Sequence, residues 1–266
     1  MLLRSRDRVT SYDLVGPEDR PVAMLCHPLA ADMGLWAEQV PALLAAGYRV
    51  LRTDLRGHGG SSATPAPYSI DLLADDIIEV LDATKIERIH FVGLSIGGMI
   101  GQSLGLRHGD RLHSLLLSDT QSESPADAAT FWDPMIEAIN AAGSLEPIAD
   151  KTMARWLTAG YQAANPGRWK QIRDTVACCT PMGYIGCVRA IGNFTFTDRL
   201  HTVQTPVLVA CGTEDPRATP EESRYMASLF PTGCYEGFEG ARHIPNVEQS
   251  EAFNRVLVAW LAHVKR

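Results

Sequence analysis

Short apolar runs alternate with segments whose apolar residues recur every three or four positions. The run "PVAMLC" at 21–26 reads as a buried strand, stopped by Pro28. Residues 36–46, "WAEQVPALLAA", read as a helix closed by Gly47. "YRVLRT" at 48–53 is the next strand, and "DLRGHGGS" at 54–61 is a glycine-rich turn. A helix is expected over 70–83, a strand over 88–92, a helix over 96–108 and a strand over 112–118. Beyond Asp119 the rhythm changes. Residues 121–198 read mostly as helices, with Trp132, Trp156 and Trp169 among them and breakers at Pro134, Pro147, Pro166 and Pro181. The strand pattern resumes at 206–212, "PVLVACG". A helix near 220–230, a strand near 234–238 and a last helix over 248–264 follow.

Short apolar strands separated by amphipathic helices predict an α/β fold with a parallel sheet covered on both faces. The helical stretch is then an insertion. The core domain comprises 1–120 and 199–266, and the cap comprises 121–198. No internal repeat or low-complexity segment interrupts this plan.

Composition narrows the function classes. The 266 residues are 45% hydrophobic and 21% charged, with a formal net charge of −7 and no block of like charges. Nothing in this pattern suits a polyanion, so nucleic acid is not an expected partner. Arg4, Arg6 and Arg8 alternate with polar residues and lead into no apolar core segment, so no secretory leader is expected. No apolar stretch is long enough to span a bilayer. The six cysteines show no metal-ligand or C-x-x-C spacing, and a cytoplasmic protein with reduced thiols is expected. Neither a metal nor a cofactor is expected. A homo-oligomer remains open.

The chemistry centres on Gly93-Leu94-Ser95-Ile96-Gly97-Gly98, between the strand 88–92 and the helix 96–108. Glycines on both sides of a serine at a strand-to-helix junction fit a very tight turn, where flanking side chains would collide. That is the nucleophile-elbow pattern G-x-S-x-G. A serine needs a base, and the base needs a carboxylate to orient it. Asp215, past the strand 206–212, and His243, in "GARHIP" past the strand 234–238, follow in the order serine, acid, histidine. All three emerge at the carboxyl ends of strands, where open α/β sheets place their sites. Asp119 is the rival for the acid, and a plain helix cap is the other reading of Asp215. The backbone amides of Leu29 and Ile96 are the expected oxyanion donors, since Pro28 has none. His27 is expected to line the site without acting as base, whereas His58 and Asp54 read as structural. The tryptophans of the insertion form its own small core, with Trp156 a candidate for the pocket wall. Cys26 and Cys211 read as buried strand residues.

From about residue 20 to its end the chain resembles the α/β-hydrolases. The resemblance rests on His27-Pro28-Leu29, Asp54-Leu-Arg-Gly-His-Gly, the segment around Ser95, Gly212-Thr-Glu-Asp and Gly240-Ala-Arg-His. Within that family it is most similar to the 3-oxoadipate enol-lactonases, through "GLSIGGMIGQSLGLRHGDRLHSLLLSD", "PYSIDLLADDIIEVLDA", "ARWLTAGYQ" and "HIPNVE". The resemblance implies a mostly parallel eight-stranded sheet with a helical cap. It also implies a cofactor-free serine hydrolase acting on a small lactone or ester. One departure is the first loop, where those lactonases carry an Asn-Ser-Leu-Gly type of segment and this chain has His27-Pro28-Leu29-Ala30. A substrate carboxylate would need a cation, and Arg155, inside "ARWLTAGYQ", is the candidate. Alternatives are a general short-chain carboxylesterase, a carbon–carbon bond hydrolase of ring-fission products, and a catalytically inactive ligand receptor on the same fold.

Overall fold

The computed structural model describes residues 1–5 and 7–264; Arg6 of the basic opening lies outside the described residues. Eight strands form one sheet in the order β1-β2-β4-β3-β5-β6-β7-β8. They are β1 (Leu2–Arg4), β2 (Val9–Val15), β3 (Val22–Cys26), β4 (Arg49–Thr53), β5 (Ile89–Leu94), β6 (Leu112–Ser118), β7 (Val207–Gly212) and β8 (Gly233–Phe238). β1 runs antiparallel to β2, and β2 antiparallel to β4, while every other pair is parallel. β3, β5 and β7 are buried at every residue, as strands covered on both faces must be. The sequence pattern marks no strand before residue 21, yet the chain's opening forms this antiparallel edge. β1 is mostly exposed, β2 only half-buried, and neither carries a continuous apolar run. Arg8 leaves the edge to pair with Asp76 at 2.8 Å and with Glu79.

The core helices are α1 (Gln39–Ala45), α2 (Ile70–Ala83) and α3 (Ile96–Arg107). α2 turns Ile70, Leu73, Ala74, Ile77, Val80 and Leu81 inward at helical spacing. Ser69 caps it by accepting the Leu72 amide at 3.0 Å, a contact worth about 1 kcal/mol. α1 starts later than its periodicity suggested, with a separate 3-10 turn at Met33–Trp36 before it. Pro41, which has no N–H, is tolerated in its first turn. Between β6 and β7 come the cap helices α4 (Ala128–Ala142), α5 (Glu146–Trp156), α6 (Ala159–Ala164), α7 (Pro166–Cys178) and α8 (Pro181–Ile191). Pro147, Pro166 and Pro181 sit in the first turns of α5, α7 and α8, where a missing N–H costs nothing, and Pro134 lies inside α4. α9 (Pro220–Leu229), α10 (Pro245–Glu248) and α11 (Ser250–His263) complete the core. The last helix is thus two, broken at Gln249.

Several contacts tie the cap to the sheet's carboxyl edge, among them Arg168 of α7 on Glu38 at 2.8 Å. Thr180, capping α8, donates to Gly57 O at 2.7 Å in the loop after β4. The end of α5 meets the loop after β8, where Arg242 donates to Ala154 O at 2.5 Å and Glu248 accepts from Thr158. No helix among the described residues is long and apolar enough to cross a membrane. All six cysteines are free, four of them buried, including Cys26 and Cys211.

Candidate active site

Ser95 sits between β5 and α3 with φ 57° and ψ −117°. A side chain rarely adopts this conformation, and holding it costs on the order of 1–3 kcal/mol. The glycines permit it. A Cβ on Gly93 would lie 2.2 Å from Gly97 O, and one on Gly97 would lie 2.5 Å from Cys26 O. The turn is closed by Ser95 N–H donating to Ser118 O at 2.9 Å and by Thr120 Oγ1 donating to Ser95 O at 2.7 Å. This points the nucleophile candidate into a cavity beneath the cap, with about 740 Å³ of free space, its open mouth included.

His243 and Asp215 line the same cavity. His243 Nδ1 lies 2.7 Å from Asp215 Oδ2, and the Asp215 side chain is fully buried. Asp215 Oδ1 accepts the Arg217 amide at 2.9 Å. Burial pushes the Asp215 carboxyl upward, but His243 and the amides of Arg217 and Ala218 outweigh it and hold the carboxyl below its ordinary range. Among the described residues no hydrogen bond joins Ser95 Oγ to His243. Such bonds are often long until substrate binds. Asp119, the rival acid, is buried close by. The donor atoms of Asp119, Asp215 and His243 lie within 4.8 Å of one another. This set is spaced to hold a metal ion, but its atoms are already engaged. Asp215 takes the imidazole, and Asp119 takes the Gly212 amide at 2.9 Å and Ser118 Oγ at 2.5 Å.

The Leu29 and Ile96 amides make no hydrogen bond among the described residues, and Ile96 opens α3, whose first amides have no partner within the helix. Ala30, with φ 64°, turns its own amide away to His58 Nε2 at 3.0 Å. His27 departs from the sequence reading. It is fully buried behind the loop and is not part of the cavity wall. Its Nε2 accepts the Leu55 amide at 3.0 Å, and its Nδ1 faces Pro28 O at 2.7 Å. Burial lowers it to about 4 and His58 to about 3, so both stay neutral and strap the loop after β3 to the loop after β4. A histidine beside the site in sequence looks like a lining residue, and only its side-chain direction shows otherwise.

The cap supplies the far wall. Trp156 lines it, 6.5 Å from the His243 ring. Arg155 also lines it, with Nη2 3.3 Å from Thr152 Oγ1 and its guanidinium 4.9 Å from the Phe131 ring centre. It enters no ion pair among the described residues, and its Nε is buried without a partner. Burial lowers its affinity for its proton, yet a guanidinium keeps its charge in proteins. Arg217 covers Phe131 at 4.3 Å and pairs with Asp127 at 2.9 Å. Sequence reading missed Phe131, Tyr184 and Arg217 as pocket residues; no local motif marks them.

The profile of the alpha/beta hydrolase fold family matches residues 21–250. The chain belongs to the α/β-hydrolase family. This hydrolase is 31% identical to 3-oxoadipate enol-lactonase 2 of Acinetobacter baylyi, over 97% of this chain and 94% of that one. It is 30% identical to RutD of Variovorax paradoxus, provisionally named a carbamate hydrolase, over 95% and 96% of the two chains. The crystal structure of the enol-lactonase from Burkholderia xenovorans LB400 superposes with a TM-score of 0.94 at 32% identity, covering 98% of the hydrolase and all of that chain. The family and these relatives make the protein an esterase or lactone hydrolase by class.

Proposed function

We propose that the hydrolase opens a small lactone, or cleaves a short ester, through an acyl-enzyme on Ser95, and that its preferred substrate carries a carboxylate. The observation that carries the reading is a strained serine sharing one cavity with an Asp215-bound histidine and an arginine that enters no ion pair among the described residues. Ser95 Oγ attacks the carbonyl carbon as its proton passes to His243. The carbonyl electrons move to the oxygen, which the Leu29 and Ile96 amides receive at the positive end of α3. The intermediate collapses, and His243 returns the proton to the departing alkoxide or enolate. Water then attacks the acyl carbon, gives a proton to His243, and Ser95 leaves with that proton. Asp215 holds the imidazole by Nδ1 and stabilises the imidazolium. Similarity to two enol-lactonases supports a lactone of the 3-oxoadipate enol-lactone kind.

A planar guanidinium can give a substrate carboxylate two parallel hydrogen bonds. Losing that contact in a partly dry pocket costs about 2 kcal/mol, or roughly 30-fold. Arg155→Leu is therefore expected to lower kcat/KM for an anionic enol-lactone roughly 30-fold while leaving p-nitrophenyl acetate within about 3-fold of wild type. Steady-state kinetics on both substrates, with a carbamate beside them, test it. Equal losses would mean a packing defect in the cap. A wild-type preference for the neutral ester or the carbamate would overturn the anionic substrate.

A further inference from the structure

Two buried carboxylates stand beside His243, where the reaction uses one. Asp119 leaves β6 with φ 50° and is 1% exposed. Its amide donates to Ala210 O on β7 at 2.8 Å, and its carboxylate meets the Gly212 amide and Ser118 Oγ. It enters no ion pair among the described residues. Two carboxylates this close, both out of water, do not both ionise. The charge belongs beside the base. Asp215 takes the imidazole N–H and the Arg217 amide, whereas Asp119 meets the neutral Gly212 amide and Ser118 hydroxyl, so the proton belongs on Asp119.

We propose that Asp119 is held as a neutral acid that donates its proton to Asp215, and so acts as a positioning residue for the carboxylate that orients His243. The inference rests on the reading of Asp215 as the partner of His243. Burial first, and then the charge of Asp215, push the Asp119 carboxyl well above its usual range against the opposing bonds from Ser118 and Gly212. The groups facing it are Asp215 beyond β7, His243 beyond β8, the Cys211 thiol of β7 and the Tyr235 phenol of β8. Burial raises both the thiol and the phenol, so neither adds charge near neutrality.

Asn at position 119 keeps the neutral shape and an N–H donor; Ala keeps neither. Asp119→Ala is expected to lower kcat roughly 10-fold with KM little changed, and Asp119→Asn to recover it to within about 3-fold at pH 7. For an acid whose folded pKa is raised, stability is fully present below the unfolded value near 4 and falls as pH rises toward the folded one. The Tm difference, Asp119→Asn minus wild type, should therefore grow as pH rises above about 4. A third readout needs no turnover. In Ser95→Ala protein at pH 7, infrared spectra should show the carbonyl stretch of a protonated carboxyl, and adding Asp119→Asn should remove it. A missing band, a Tm difference that does not change with pH, or an Asn variant as slow as Ala would each overturn the proposal. The band and the Tm difference survive if Ser95 proves not to be the nucleophile, so the two failures are distinguishable.

Discussion

Ser95→Ala should reduce kcat for any ester or lactone by roughly 10⁵-fold or more, with Tm nearly unchanged. Alanine fits the elbow as well as serine does, because the constraint is on Cβ and the backbone, both of which it shares. The closing bonds from Ser95 N–H to Ser118 and from Thr120 to Ser95 O are main-chain contacts at position 95 and persist. Among the described residues no other hydroxyl on the cavity wall is placed to take over. Thr120 is committed to Ser95 O, Thr152 contacts Arg155, and Tyr184 points its hydroxyl to Met135 Sδ at 3.9 Å. What remains is the oxyanion hole and binding, which leave a residual roughly 10³-fold over water. Steady-state kinetics on p-nitrophenyl acetate read the loss. A variant retaining even a hundredth of wild-type turnover would assign the attack to another group.

The second large effect is at the acid. Asp215→Asn should lower kcat by at least about 10³-fold. An amide turned to offer its N–H toward Nδ1 favours the tautomer that presents a proton, and not a lone pair, to Ser95. The same change removes the charge that stabilises the imidazolium. Asp119→Asn should cost far less, because its carboxylate is bonded to Ser118 and Gly212 and not to the imidazole. Measuring kcat for both variants decides the matter. A larger loss at position 119 would move the triad acid to the end of β6.

Much of this was legible in the residues because local rules carry it. Short, largely apolar runs located β3, β5, β6 and β7, mixed runs bearing arginine or glutamate located β4 and β8, and the elbow glycines located Ser95 to the residue. Chain order and position after a strand then put forward Asp215 and His243, with Asp119 left as the rival acid. What failed was what depends on side-chain direction or on partners distant in sequence. β1 and β2 are held by antiparallel pairing at the sheet edge, with no apolar run of their own. His27 was misread because a loop residue can turn inward, and this one does to meet Leu55. Phe131 matters only because the fold sets Arg155 and Arg217 on its ring from different segments. The closeness of Asp119 to Asp215 comes from two strands that are neighbours in the sheet but ninety-odd residues apart in the chain.

If Ser95 is an activated nucleophile served by His243 and Asp215, it should react with phosphorus electrophiles. Only a serine with an aligned base attacks phosphorus readily at neutral pH. Incubation with a fluorophosphonate followed by peptide mass mapping tests this most directly. One adduct is expected, on the peptide bearing Ser95, lost in Ser95→Ala and strongly slowed in Asp215→Asn. An adduct on a different residue alone, or none on protein that still turns over an ester, would contradict it.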